Sequence, residues 1–178
     1  MVAGDSTNRE VPVAEIDRML EANQEWAQRF PGSKPVRPAR AVAVVACMDS
    51  RMPLFGLLGL EIGDAHVIRN AGGVITEDVI RSLTISQHAL GTREIVLVHH
   101  TECGLQATDD ISFADAVEKA TGRRPPWAAR AFTDVDQDVR ESMRLIRESP
   151  YLLSREVRGT VYDVTTGRLR EVEDSAAQ

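Results

Sequence analysis

Apolar positions along the chain follow two periods, and the changes of period mark out the elements. Between residues 12 and 30, Val13, Ile16, Leu20, Ala27 and Phe30 recur at roughly helical spacing among charged neighbours, and Pro31-Gly32 ends the pattern. The segment predicts an N-terminal amphipathic helix. After a loop containing Pro35 and Pro38, Ala41-Val-Ala-Val-Val-Ala46 is continuously apolar, as a central parallel strand buried on both faces should be. His66-Val-Ile68 and Glu94-Ile-Val-Leu-Val98 are two further runs of this kind. Between them Thr76 can cap a helix with Val79, Ile80, Leu83 and Leu90 on its buried side, ended by Gly91.

Downstream, residues 112–120 predict a short helix, 122–126 a loop, and 133–148 a helix with Val135, Val139, Met143 and Ile146 as its stripe. Residues 159–167 alternate and read as a last strand on the sheet edge. The order predicts an α/β fold: a central, mostly parallel β-sheet flanked by helices. A chain of 178 residues suits a single domain. Its parts are a helical arm at about 12–30, a core at about 41–104, and C-terminal helices with the edge strand at about 110–170.

Each apolar run carries its unusual residues at its carboxyl end. Cys47-Met-Asp-Ser-Arg51 follows the first, Arg69-Asn-Ala-Gly-Gly73 the second, and His99-His-Thr-Glu-Cys-Gly104 the third. Open parallel sheets bind ligands just beyond those ends, so the three motifs should converge on one site.

Charge and composition narrow its chemistry. A formal net charge of −6 argues against nucleic acid as a partner, since phosphate contacts need clustered Lys and Arg. The start, Met1 to Glu10, is polar, and no run approaches ~18 apolar residues. No membrane partner and a cytoplasmic location are therefore expected. Two cysteines are too few for a disulfide framework and read better as thiols or metal ligands. Spaced dinucleotide glycines and the Gly-Lys-Ser/Thr of a P-loop are both absent. Trp26 and Trp127 read as packing anchors, and Arg123 and Arg124 as a solvated loop.

Cys47 offers a thiolate, a strong zinc ligand, and Asp49 a carboxylate that can ligate metal or accept a hydrogen bond. His100-Thr-Glu-Cys103 places imidazole and thiol three residues apart, a common ligand spacing. Cys47, His100 and Cys103 would leave zinc an open fourth position. With Asp49 as fourth ligand the site would instead be closed. Spacing leaves both arrangements open. Adjacent strand residues point to opposite faces, so either His99 or His100 meets the metal, and spacing leans to His100 without settling it.

Cys47-Met-Asp-Ser-Arg51, His66-Val-Ile-Arg-Asn-Ala-Gly-Gly73 and His100-Thr-Glu-Cys-Gly104 together resemble the β-carbonic anhydrase family, in order and in spacing, and look closest to its small microbial branch. The resemblance implies zinc on Cys47, His100 and Cys103, and hydration of carbon dioxide to bicarbonate by zinc-bound hydroxide. It assigns Asp49 and Arg51 as a catalytic dyad in which the arginine holds the aspartate off the metal. It also implies a homodimer or higher assembly. Backbone donors near Gly104 are a candidate product-binding site, and His99 and His66 are candidate proton shuttles. The rivals are a carbon disulfide or carbonyl sulfide hydrolase on the same ligands, with access shaped by the residues from Met52 to Gly59, and a non-catalytic zinc or bicarbonate-sensing module closed by Asp49.

Overall fold

A computed structural model describes residues 14–174. Contacts divide the chain into an N-terminal unit ending at Ser33 and a larger unit from Lys34 onward. The first unit holds helix α1, Glu15–Gln28, close to the predicted arm; Val13 lies outside the described residues. Ile16, Met19 and Leu20 form its exposed apolar stripe, and Trp26 meets Phe30 edge-on with centroids 6.4 Å apart.

Among the described residues the larger unit is built on five strands: β1 (Val42–Cys47), β2 (Ala65–Asn70), β3 (Glu94–His100), β4 (Glu156–Tyr162) and β5 (Leu169–Glu171). Their order is β2-β1-β3-β4-β5, with the first four parallel and β5 antiparallel to β4. The predicted alternating strand is β4, and it stands one place in from the edge. The late edge strand is β5, three residues long and exposed, which carries no apolar run to announce it.

Helices α2 (Leu54–Leu58), α3 (Glu77–His88), α4 (Asp110–Thr121) and α5 (Val135–Glu148) complete the unit. Thr76 caps α3 as expected, its hydroxyl accepting from the Val79 amide at 3.3 Å. Asp109 and Asp134 cap α4 and α5 in the same way. Among the described residues no helix is long and apolar enough to cross a membrane.

Side-chain alternation separates two cores. Ala43, Val45, Ile95 and Leu97 face α3 and α5, where Val79, Leu83, Val139, Met143 and Ile146 cover them. Val44, Ala46 and Val98 face the other way, toward Met52, Leu54 and Leu60. Gly159 on β4 admits α5: a Cβ there would lie 2.2 Å from Val139 Cγ1. Trp127 does not anchor a core, being 59% exposed beside Phe113, and Trp26 is 44% exposed. An indole on an otherwise polar segment carries no sign of which surface it meets.

Candidate metal centre

Parallel register brings the three motif-bearing strand ends side by side. Cys47 pairs with Asn70 of β2, and the preceding Ala46 pairs with Val98 of β3, two residues before His100. The ligand atoms of Cys47, His100 and Cys103 lie within 4.8 Å of one another, and all three residues are buried.

His100 rather than His99 joins this group because of the face each occupies. His99 follows Ile95 and Leu97 in the alternation and turns toward α5, where Nε2 lies 3.1 Å from Asp138 Oδ2. His100 follows Val98 onto the face shared with Cys103. Its Nδ1 lies 2.8 Å from the Thr101 carbonyl oxygen. A carbonyl only accepts, so Nδ1 carries a proton, and in the neutral ring the lone pair lies on Nε2. Nε2 is buried and makes no well-formed hydrogen bond, which is the condition of a nitrogen ready to bind a metal.

The thiols share a proton. Cys47 is held far below its ordinary pKa, chiefly because the Cys103 thiol donates to it, with His100 and the amides of Asp49 and Gly72 also stabilising the thiolate. Cys103 is pushed up correspondingly, chiefly because its thiol donates the hydrogen bond to Cys47, and burial adds to the cost of ionising it. For His100, burial opposes the charged form most strongly, but the Cys47 thiolate, the Thr101 carbonyl and the Asp49 carboxylate together outweigh it, and the net direction is upward. Two sulfurs and an imidazole that compete for protons in this way are a donor set that a soft dication satisfies by displacing them. The residues present therefore fit zinc.

Asp49 does not enter the donor group. It accepts from Arg51 three times, from the main-chain nitrogen at 2.8 Å, Nε at 3.0 Å and Nη2 at 2.8 Å. These bonds hold its carboxyl well below the usual range, and the same contacts raise Arg51. Asp49 Oδ2 still lies only 3.7 Å from His100 Nε2. The carboxylate thus stands beside the donors, turned to its arginine.

Gly104 opens a short 3-10 turn, Gly104–Ala107, with open space where a side chain would stand. Backbone donors of this turn at Leu105 and Gln106 face the Cys103 sulfur. Neither candidate shuttle leads from the centre to solvent. His66 lies at the amino end of β2, roughly 13 Å along the strand from the site, with Nδ1 2.7 Å from Ser86 Oγ; His99 is 1% exposed.

Arg69 is a residue whose role the sequence hid. It donates to the main-chain oxygens of Cys47 at 3.0 Å and Asp49 at 2.6 Å, buttressing the loop that carries both. Helix α2 was also missed, although five residues with Pro53 before them and Gly59 after them mark it. With Val67 and Arg69, residues 52–56 line a hollow of about 260 Å³.

Residues 42–169 match the profile of a family described as carbonic anhydrase. "Beta-carbonic anhydrase 1" of Mycobacterium tuberculosis is 48% identical over 157 residues, covering 88% of this chain and 96% of that protein. The chain belongs to the β-carbonic anhydrase family. It is accordingly an enzyme of the lyase class. A crystal structure of the carbonic anhydrase from Streptococcus mutans superposes with a TM-score of 0.87 at 40% identity, covering 92% of this chain and 100% of that one. A carbon disulfide hydrolase of Acidithiobacillus thiooxidans is more distant, at 31% identity over 88% of each chain.

Proposed function

We propose that this β-carbonic anhydrase family member catalyses the reversible hydration of carbon dioxide to bicarbonate and a proton, at a zinc held by Cys47, His100 and Cys103. The observation that carries the reading is the convergence of three buried donors while Asp49 is held by Arg51 instead of completing a closed site. Zinc, when bound, supplies the Lewis acidity that lets water give up its proton near neutral pH. Thr101 orients the His100 ring through its carbonyl, and the Gly72 amide steadies Cys47. Asp49, kept ionised by Arg51, acts as the acceptor that orients the attacking water. Gly104 leaves room for the substrate and product beside Cys103.

The greater similarity to the mycobacterial β-carbonic anhydrase than to the carbon disulfide hydrolase supports carbon dioxide as substrate. We read the protein as a homodimer or larger assembly and as cytoplasmic.

The test combines zinc content with stopped-flow hydration rates from about pH 6.5 to 9, which brackets the near-neutral pKa that zinc gives to water. Native protein is expected to carry one zinc and to be active. Cys103→Ser should lose most of both, and Asp49→Ala should keep the zinc but lose about a hundredfold in rate. Zinc-free native protein sinks the reading. Hydrogen sulfide release from carbon disulfide without carbon dioxide hydration transfers it to the hydrolase.

A further inference from the structure

Glu102 makes contacts that the proposed chemistry leaves unused. Its backbone is left-handed, with φ +56°, a conformation that a side chain with a Cβ adopts only against steric resistance. That conformation turns its main-chain oxygen onto Arg51, which donates from Nη2 at 3.0 Å. Its carboxylate accepts from Nη1 of the same guanidinium at 3.3 Å. Asp49 takes Nε and Nη2. The guanidinium is thus gripped from two segments, one following β1 and one following β3.

The turn that presents Glu102 is itself tied down. The Thr101 amide donates to the Tyr162 carbonyl at 2.9 Å, Thr101 Oγ1 accepts from the Val164 amide at 3.2 Å, and the Cys103 amide donates to Gln106 Oε1 at 3.2 Å. Its carbonyl is therefore a fixed acceptor. Arg51, by contrast, has a side chain 45% exposed, and an ion pair that open to water holds its own geometry only weakly. The consequence falls on Asp49, a carboxylate and so a zinc ligand in its own right, whose Oδ2 lies 3.7 Å from His100 Nε2.

We propose that Glu102 is the positioning residue of the Asp49–Arg51 pair: it fixes Arg51 from the far side and thereby keeps Asp49 off the metal position. The inference rests on the zinc reading above and deepens it. The Glu102 side chain is 68% exposed, so its charge is screened, and the aimed carbonyl carries most of the effect.

The test uses the full-length protein loaded with cobalt(II), whose visible spectrum reports its ligands, titrated with azide. Wild type is expected to take up cobalt and to change its spectrum with azide. Glu102→Val opposes the left-handed backbone and removes the side-chain acceptor. It is expected to need about tenfold more azide, because Asp49 fills the position in most molecules. Glu102→Asn tolerates that backbone, keeps an acceptor and should stay near wild type. On an Asp49→Ala background, Glu102→Val should change nothing, which a merely structural role would not predict. Should Glu102→Val fail to fold, Glu102→Ala carries the test, with a shift of about threefold that Asp49→Ala again abolishes. Unchanged or tighter azide binding in the Glu102 variant overturns the inference, as does a loss that persists without Asp49. A wild type that takes up no cobalt overturns the zinc reading, and this inference with it.

Discussion

A methyl group on Gly73 would lie 2.9 Å from the Cys47 nitrogen and 3.1 Å from the Ala46 carbonyl carbon, at a backbone φ of +73°. Both counts exclude a side chain, and the neighbouring Gly72 supplies an amide to the Cys47 sulfur. Gly73→Ala is therefore expected to cost about 1–2 kcal/mol from the left-handed backbone alone. By displacing Cys47 it should also weaken zinc binding about 10- to 100-fold, as changes just outside a ligand shell do. Chelator competition measures the second effect and denaturant unfolding the first; unchanged zinc affinity would separate Gly73 from the site. The sequence placed the pair Gly72-Gly73 in the motif that follows the second apolar run. The role of Glu102 was not legible there, because a glutamate in a left-handed turn looks like any surface glutamate until its carbonyl is seen on Arg51.

Among the elements, α5 depends most on fit. Its stripe of Val139, Met143 and Ile146 was readable from spacing, but the groove it enters was not, since a glycine at the head of an alternating segment does not say which helix packs against it. Gly159→Val should overpack that contact and destabilise the protein by about 2–3 kcal/mol, seen as a lower urea midpoint; an unchanged midpoint would mean that α5 shifts freely. The first turn of α5 is also tied to β5, where Arg170 Nη1 donates to Asp136 Oδ2 at 3.0 Å. The Arg170 hydrogen bond depresses the folded-state pKa of Asp136. Its contribution is thus fully present above the ordinary carboxylate value near 4 and is lost as pH falls through the depressed one. Both side chains are partly exposed, so Asp136→Asn should cost only about 0.5 kcal/mol at neutral pH. That difference from wild type should vanish in acid unfolding series once the pH has fallen below the depressed value, and a deficit that persists there would assign it to something other than the ion pair.

At the scale of the whole molecule, large apolar side chains remain uncovered. Met48 and Phe55 flank the site loop at 64% and 50% exposure, and Ile111 and Trp127 stand on the α4 side at 70% and 59%. Exposure of this extent suits surfaces that a further copy covers. Light scattering at micromolar concentration should report a dimer or larger species, and a monomer would remove the homo-oligomer from the proposal.

The sequence by itself determined the class of the fold and the list of candidate donors. Short continuous apolar runs bounded by turn residues read as strands of a parallel sheet, and both cysteines stand beside strand ends. Which histidine joins them was decided in three dimensions. His99 and His100 are equivalent in composition and neighbours in sequence, but sheet alternation sends one toward Asp138 of α5 and the other toward Cys103. The orientation of Asp49 was likewise out of reach of spacing. It follows from where the turn after β3 sets Glu102 against Arg51, a contact between residues 51 positions apart that only the parallel register of β1 and β3 brings together.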